Sequence, residues 1–122
     1  MKIYDCFMYF DEDMLLDIRL NILNKYVDKF VIIESKFLHS GREKKLNFKI
    51  NNFSNFKDKI VYLVVEQPPE GIEIIQDDDT VEVSNKKILD NSLKRENTQR
   101  NRLLEGVEEA NDEDLIISSD LD

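Results

Sequence analysis

A layered α/β sandwich on a mainly parallel sheet is the fold class this sequence predicts, and three features predict it. Short apolar runs of strand length begin at Ile3, Lys29, Ile60 and Leu115, each nearly continuous rather than alternating, as strands covered on both faces are. Segments with helical spacing stand between them, which calls for parallel strands joined by right-handed crossovers. The runs also deliver acids at their C-terminal ends, at Glu34, Glu66 and Asp120/Asp122, where an open α/β sheet places its ligands.

Residues 3–10 are apolar and aromatic-rich, a first buried strand closed by the acidic turn Asp11-Glu12-Asp13. Asp11 or Asp13 is positioned to cap an amphipathic helix in which Met14, Ile18 and Ile22 recur with Leu15, Leu23 and Tyr26. Residues 29–34 form a second, β-branched strand ending on Glu34. A polar loop over 35–47 follows, carrying His39-Ser40-Gly41 and the basic residues Arg42, Lys44 and Lys45, and then a short helix over 51–58. The third strand, 60–66, stops before Pro68-Pro69, because proline has no N–H for the ladder. Residues 70–83 read as an exposed loop or short ribbon. A long polar helix over 84–110, capped by Ser84, turns Ile88, Leu93, Leu103, Leu104 and Val107 towards the sheet. Leu115-Ile116-Ile117 opens a last buried strand.

The chain has 122 residues, enough for one domain with its own core. No apolar run is long enough to span a bilayer, and the N-terminus lacks the pattern of a secretory signal, so a cytoplasmic protein is expected. The single cysteine, Cys6, lies within the first strand and reads as a buried small side chain. Twenty-six acids against seventeen basic residues give a net charge of −9, which argues against a nucleic-acid or anionic-membrane partner. A small anionic substrate stays compatible with that charge if a divalent cation accompanies it.

With fourteen aspartates, the D-x-D pattern occurs at Asp11/Asp13, Asp77/Asp79, Asp112/Asp114 and Asp120/Asp122, so position must choose among them. Asp112/Asp114 precede a strand and suit a turn, and Asp77 to Asp79 suit a solvated loop. Asp11/Asp13 resemble the opening motif of haloacid-dehalogenase-like phosphatases, in which the first aspartate attacks phosphorus and the second is acid/base. N-capping is the competing reading. Asp120/Asp122 end a strand without interruption. They suit either a shared Mg²⁺ or Mn²⁺, whose hard character favours carboxylate and diphosphate oxygen, or the cap of a following helix.

Several segments, in order, resemble glycosyltransferase family 17, the β-1,4-N-acetylglucosaminyltransferases of glycoprotein glycans. They are Ile3-Tyr4-Asp5-Cys6-Phe7, Asp17-Ile18-Arg19-Leu20-Asn21, Phe30-Val31-Ile32-Ile33-Glu34, His39-Ser40-Gly41, Glu96-Asn97-Thr98-Gln99-Arg100-Asn101 and Ile116-Ile117-Ser118-Ser119-Asp120-Leu121-Asp122. The resemblance implies a GT-A-type, Rossmann-like fold and an inverting, metal-dependent transfer of a sugar, N-acetylglucosamine by the family's pattern, from a UDP-sugar to a glycan or glycoprotein acceptor. It implies that Asp120 and Asp122 hold Mn²⁺ or Mg²⁺ against the diphosphate.

By fold analogy, Glu34 would contact the nucleoside, and Arg100 and Asn101 would reach the nucleotide-sugar from the long helix. A solvated strand-end acid and a polar helix surface are the plain alternatives. His39, the only histidine, reads as a loop residue. Residues 1–122 are expected to be the nucleotide-sugar-binding, N-terminal part of a larger catalytic domain, with the base and acceptor pocket beyond Asp122. The competing class is a non-catalytic α/β binding or receiver-like signalling module, against which no acceptor aspartate ends the third strand, where Glu66-Gln67-Pro68 stands.

Overall fold

The computed structural model describes residues 1–121, so Asp122 lies outside the described residues. Four strands, β1 (Ile3–Met8), β2 (Lys29–Ser35), β3 (Ile60–Val65) and β4 (Leu115–Ser118), form one sheet in the order β3-β2-β1-β4. Every pairing is parallel, with Cys6 opposite Val31 on one side and Ser118 on the other. Helix α1 (Asp13–Leu23) joins β1 to β2. A kinked pair of 3₁₀ turns (Ile50–Phe56) precedes β3, and α2 (Val81–Arg102) with a second 3₁₀ helix (Leu103–Val107) leads to β4. The predicted parallel α/β architecture is the observed one: a small Rossmann-like sheet.

Its two faces carry separate cores. Phe7, Phe30 and Ile32 point to one side, where Leu16, Leu20 and Val27 from the first helical connection meet Phe48, Phe53 and Phe56. Phe48 stacks on Tyr62 at 4.6 Å between ring centroids and meets Tyr9 edge to face at 5.7 Å. On the other side Tyr4, Cys6, Val31, Ile33 and Val65 meet Leu103 and Val107. Gly106 lets that 3₁₀ helix approach β2 closely, since a Cβ there would collide with Val31 Cγ1.

The structure corrects several details. In α1 the buried residues are Leu16 and Leu20, with Leu23 partly buried and Val27 joining them from the turn beyond, whereas Met14 (74% exposed), Leu15, Ile18 and Ile22 (61%) are exposed, as is Tyr26 (63%) after the helix. Both stripes have helical period; the flank that carries Leu16 and Leu20 packs on the sheet, and Arg19 beside it reaches the buried Asp5 on β1. Glu12, not Asp11 or Asp13, is at the N-cap of α1, with no side-chain capping bond. Asp13 instead accepts from the Tyr9 hydroxyl. Strand β1 ends at Met8, so Tyr9 and Phe10 lie past it.

The N-cap of α2 is Thr80, whose hydroxyl accepts from Val83 N–H at 3.2 Å; Ser84 already lies inside the helix. Ile88, Leu93 and Leu104 are exposed, and the buried residues of α2 are Asn91 and Gln99. They are polar because α2 packs there against backbone that needs partners. Asn91 both donates to Glu73 O (2.9 Å) and accepts from Glu73 N–H (2.8 Å), tying down residues 66–80, which form turns and no ribbon. Asp79 is ion-paired with Lys87 at 2.6 Å rather than free in solvent. Asp114 closes the expected turn, accepting from Lys2 and Asn111 N–H, which hold its carboxyl below the usual range. Finally, β4 is not buried: it is an edge strand whose Leu115, Ile116 and Ile117 are all exposed.

Candidate functional site

Strands β1, β2 and β3 are laid down in one direction across the sheet, and β4 returns to the other side of β1. The order reverses between β1 and β4, and carboxyl ends of parallel strands splay apart at such a point. A cavity of about 430 Å³ opens there. Met8, Tyr9 and Phe10 after β1, Ser35 at the end of β2, Phe37, Leu38, His39 and Lys44 of the next loop, Gln99 of α2, and Glu12, Asp120 and Leu121 line it. Its size and mixed lining suit a small organic ligand.

The loop wall is built from the sheet outward. The Glu34 carboxylate, 0% exposed, accepts from Lys44 Nζ (2.7 Å), Asn47 N–H (2.6 Å), Phe48 N–H (3.0 Å) and Tyr62 O–H (2.8 Å). These donors pin residues 44–48 to the end of β2. On the opposite wall Gln99 donates to Ile33 O at 3.3 Å, and its side-chain oxygen lies 3.4 Å from His39 Nε2. Arg95 donates to His39 O at 2.9 Å beneath Gly41, whose φ of +94° favours glycine.

Asp120 ends β4's excursion at the cavity rim with its side chain 74% exposed, and its Oδ1 lies 3.8 Å from Arg100 Nη2. Arg100 also pairs with Glu96, one helical turn back, at 3.1 Å. Asn101 is exposed on the last turn of α2 and does not line the cavity. The sequence reading placed Glu34 at the nucleoside. In the structure its carboxylate is turned inward and accepts from four protein donors. Thus Asp120 and Arg100 are brought together, while Glu34 and Asn101 stand apart from them.

Among the described residues no three acidic, histidine or cysteine side chains converge to form a metal cage. One exposed carboxylate at the rim still fits a Mg²⁺- or Mn²⁺-type arrangement, in which one or two carboxylates supplement diphosphate and water. The other carboxylate of that pattern, Asp122, lies outside the described residues.

Two residues that the sequence places in family-like segments, with no role of their own, meet beside the cavity. Asp5, 1% exposed, and Arg19 form a bidentate pair (2.7 and 2.8 Å), and Arg19 also reaches Ser119, Asp120 and Leu121. An acid inside an apolar strand was the available signal: a buried carboxylate requires a partner. The sequence does not say which.

A parallel α/β sheet with a cavity at its switch point and the Asp120 carboxylate at the rim defines the class as a Rossmann-like α/β domain. The family model described as glycosyltransferase family 17 matches residues 1–122, and the chain belongs to that family. No curated protein and no solved structure matches the chain. The function is therefore that of a glycosyltransferase, with a sugar donor and a glycan acceptor. Among the described residues no helix is long and apolar enough to cross a membrane.

Proposed function

We propose that residues 1–122 supply the nucleotide-sugar side of a metal-dependent transferase site of GT-A type. In this reading the cavity at the ends of β1 and β2 takes a UDP-sugar, and Asp120 and Asp122 hold Mn²⁺ or Mg²⁺ on its diphosphate. The observation that supports it is the exposed Asp120 carboxylate at the cavity rim, two residues past the end of the strand at which the sheet order reverses.

When bound, the cation neutralises charge that grows on the diphosphate as the glycosidic bond breaks. The chain's own groups serve binding and orientation. Arg100, 3.8 Å from Asp120 and paired with Glu96 at 3.1 Å, would trade the exposed Glu96 contact for a phosphate oxygen, for which guanidinium is well shaped. Glu34 holds the loop that walls the cavity. Tyr9, Phe10, Phe37 and Leu38 exclude water from one side of the ligand. The acceptor is a glycan, and the transferred sugar is N-acetylglucosamine with inversion at the anomeric carbon.

Titration of UDP by calorimetry, with and without Mn²⁺, tests the reading. Metal-dependent binding by the wild-type chain, lost in the Asp120→Ala/Asp122→Ala variant, is the expected result. A folded wild-type chain that binds no UDP at millimolar Mn²⁺ overturns it.

A further inference from the structure

We propose that Arg19 is a positioning residue that sets the path of the chain at residues 119–121 and so aims the Asp120 carboxylate at the cavity. The inference rests on the reading of Asp120 as a metal-holding carboxylate, and it deepens that reading.

The geometry accounts for every donor on the side chain. Arg19 Nε and Nη2 donate to the two oxygens of Asp5 at 2.8 and 2.7 Å, and Nη2 donates again to Ser119 Oγ at 2.6 Å. Nη1 donates to Asp120 O at 2.7 Å and to Leu121 O at 3.2 Å. A guanidinium has five N–H groups, and all five are taken. Arg19 therefore has none left for a ligand, which separates it from a substrate-binding arginine.

Its own placement is rigid. The Asp5 carboxylate that orients it is buried on β1, and the guanidinium lies over the Phe7 ring, 4.5 Å from the centroid. Two successive carbonyls bonded to one nitrogen leave the peptide planes at 120 and 121 little freedom. The carboxylate between them points outward to the rim, 74% exposed. Among the described residues, the ladder of β4 to β1 ends at Ser118 and the Ser119 N–H, 3.2 Å from Cys6 O, continues it, so beyond Ser119 the polar hold on the backbone comes from Arg19, with Leu121 packed against the core. Supports of this kind orient a metal's ligands without touching the metal.

The test compares wild type with Arg19→Gln, Arg19→Lys and the double variant Asp5→Asn/Arg19→Gln. The double variant removes both buried charges and carries the test if Arg19→Gln alone fails to fold. One readout is Mn²⁺ affinity in the presence of UDP, from the electron paramagnetic resonance signal of free Mn²⁺; the other is hydrogen exchange of the Ser119 amide. Positioning predicts Mn²⁺ affinity weaker by about tenfold or more in each folded variant, with faster Ser119 exchange. Lysine does not rescue, because it keeps the charge but lacks the planar fork.

A mere charge effect has the opposite sign: loss of a cation near the metal tightens binding, and Arg19→Lys leaves it unchanged. Either of those results overturns the proposal. So does undiminished affinity in the folded variants while the wild type binds, which leaves the donor-site reading intact. Absence of Mn²⁺ affinity in the wild type, matched by Asp120→Ala, overturns that reading and this inference with it.

Discussion

Glu34 shows how one residue changes meaning once its neighbours are known. In sequence it is an acid at a strand end; in space its carboxylate gathers four donors from a loop and from β3. A buried carboxylate so paired is costly to break, because the partners are left desolvated without it. Glu34→Ala should therefore destabilise the fold by about 3–5 kcal/mol, measured by urea unfolding. Glu34→Gln, which keeps an acceptor oxygen for the N–H donors, should cost less. A loss for Glu34→Ala within the range of a surface ion pair, under about 1 kcal/mol, would show that the network contributes little.

At the scale of elements, existence was legible and orientation was not. The four strands stand out because parallel strands read as short, continuous apolar runs, and their predicted positions agree with β1 to β4 within about two residues. Helix α1 carries two stripes of helical period, and the buried one, Leu16 and Leu20 beside the Asp5–Arg19 contact, is settled only by packing across the layers. The start of α2 depends on which hydroxyl meets a free N–H. Thr80 does so and Ser84 does not, so Thr80→Ala should cost about 1 kcal/mol in thermal or urea unfolding, and Ser84→Ala only a few tenths. Equal losses at the two positions would contradict the cap assignment.

For the whole molecule, the buried titratable groups make stability fall in alkali. Burial, and then the charge of Asp5, push the Cys6 thiol from 9.0 up to about 11. Burial, and then hydrogen bonds to Asp13 and Glu34, push the Tyr9 and Tyr62 hydroxyls up from their ordinary 10.0. The unfolded chain then loses these protons first. Their contribution is fully present below pH 9 and is lost as pH rises through the folded values. Urea midpoints measured at pH 8 and at pH 10.5 should fall between the two, and less steeply in Cys6→Ala; equal midpoints in the wild type would contradict the sign. At pH 8 the thiol should resist thiol-specific reagents until the protein unfolds.

The sequence by itself determined the parallel α/β class, the strands, the buried Cys6 and the family whose pattern the chain carries. Those follow from local composition, period and ordered motifs, which need no partner in space. Tertiary structure decided the rest. Glu34 became the anchor of a wall through donors 10 to 28 residues away, and Arg19 became the support of a strand end about 100 residues later in the chain. It also made the last strand an exposed edge. A buried charge announces that it needs a partner, but the partner is chosen by which segments the folded sheet brings within hydrogen-bonding distance, and that choice is not written in local spacing.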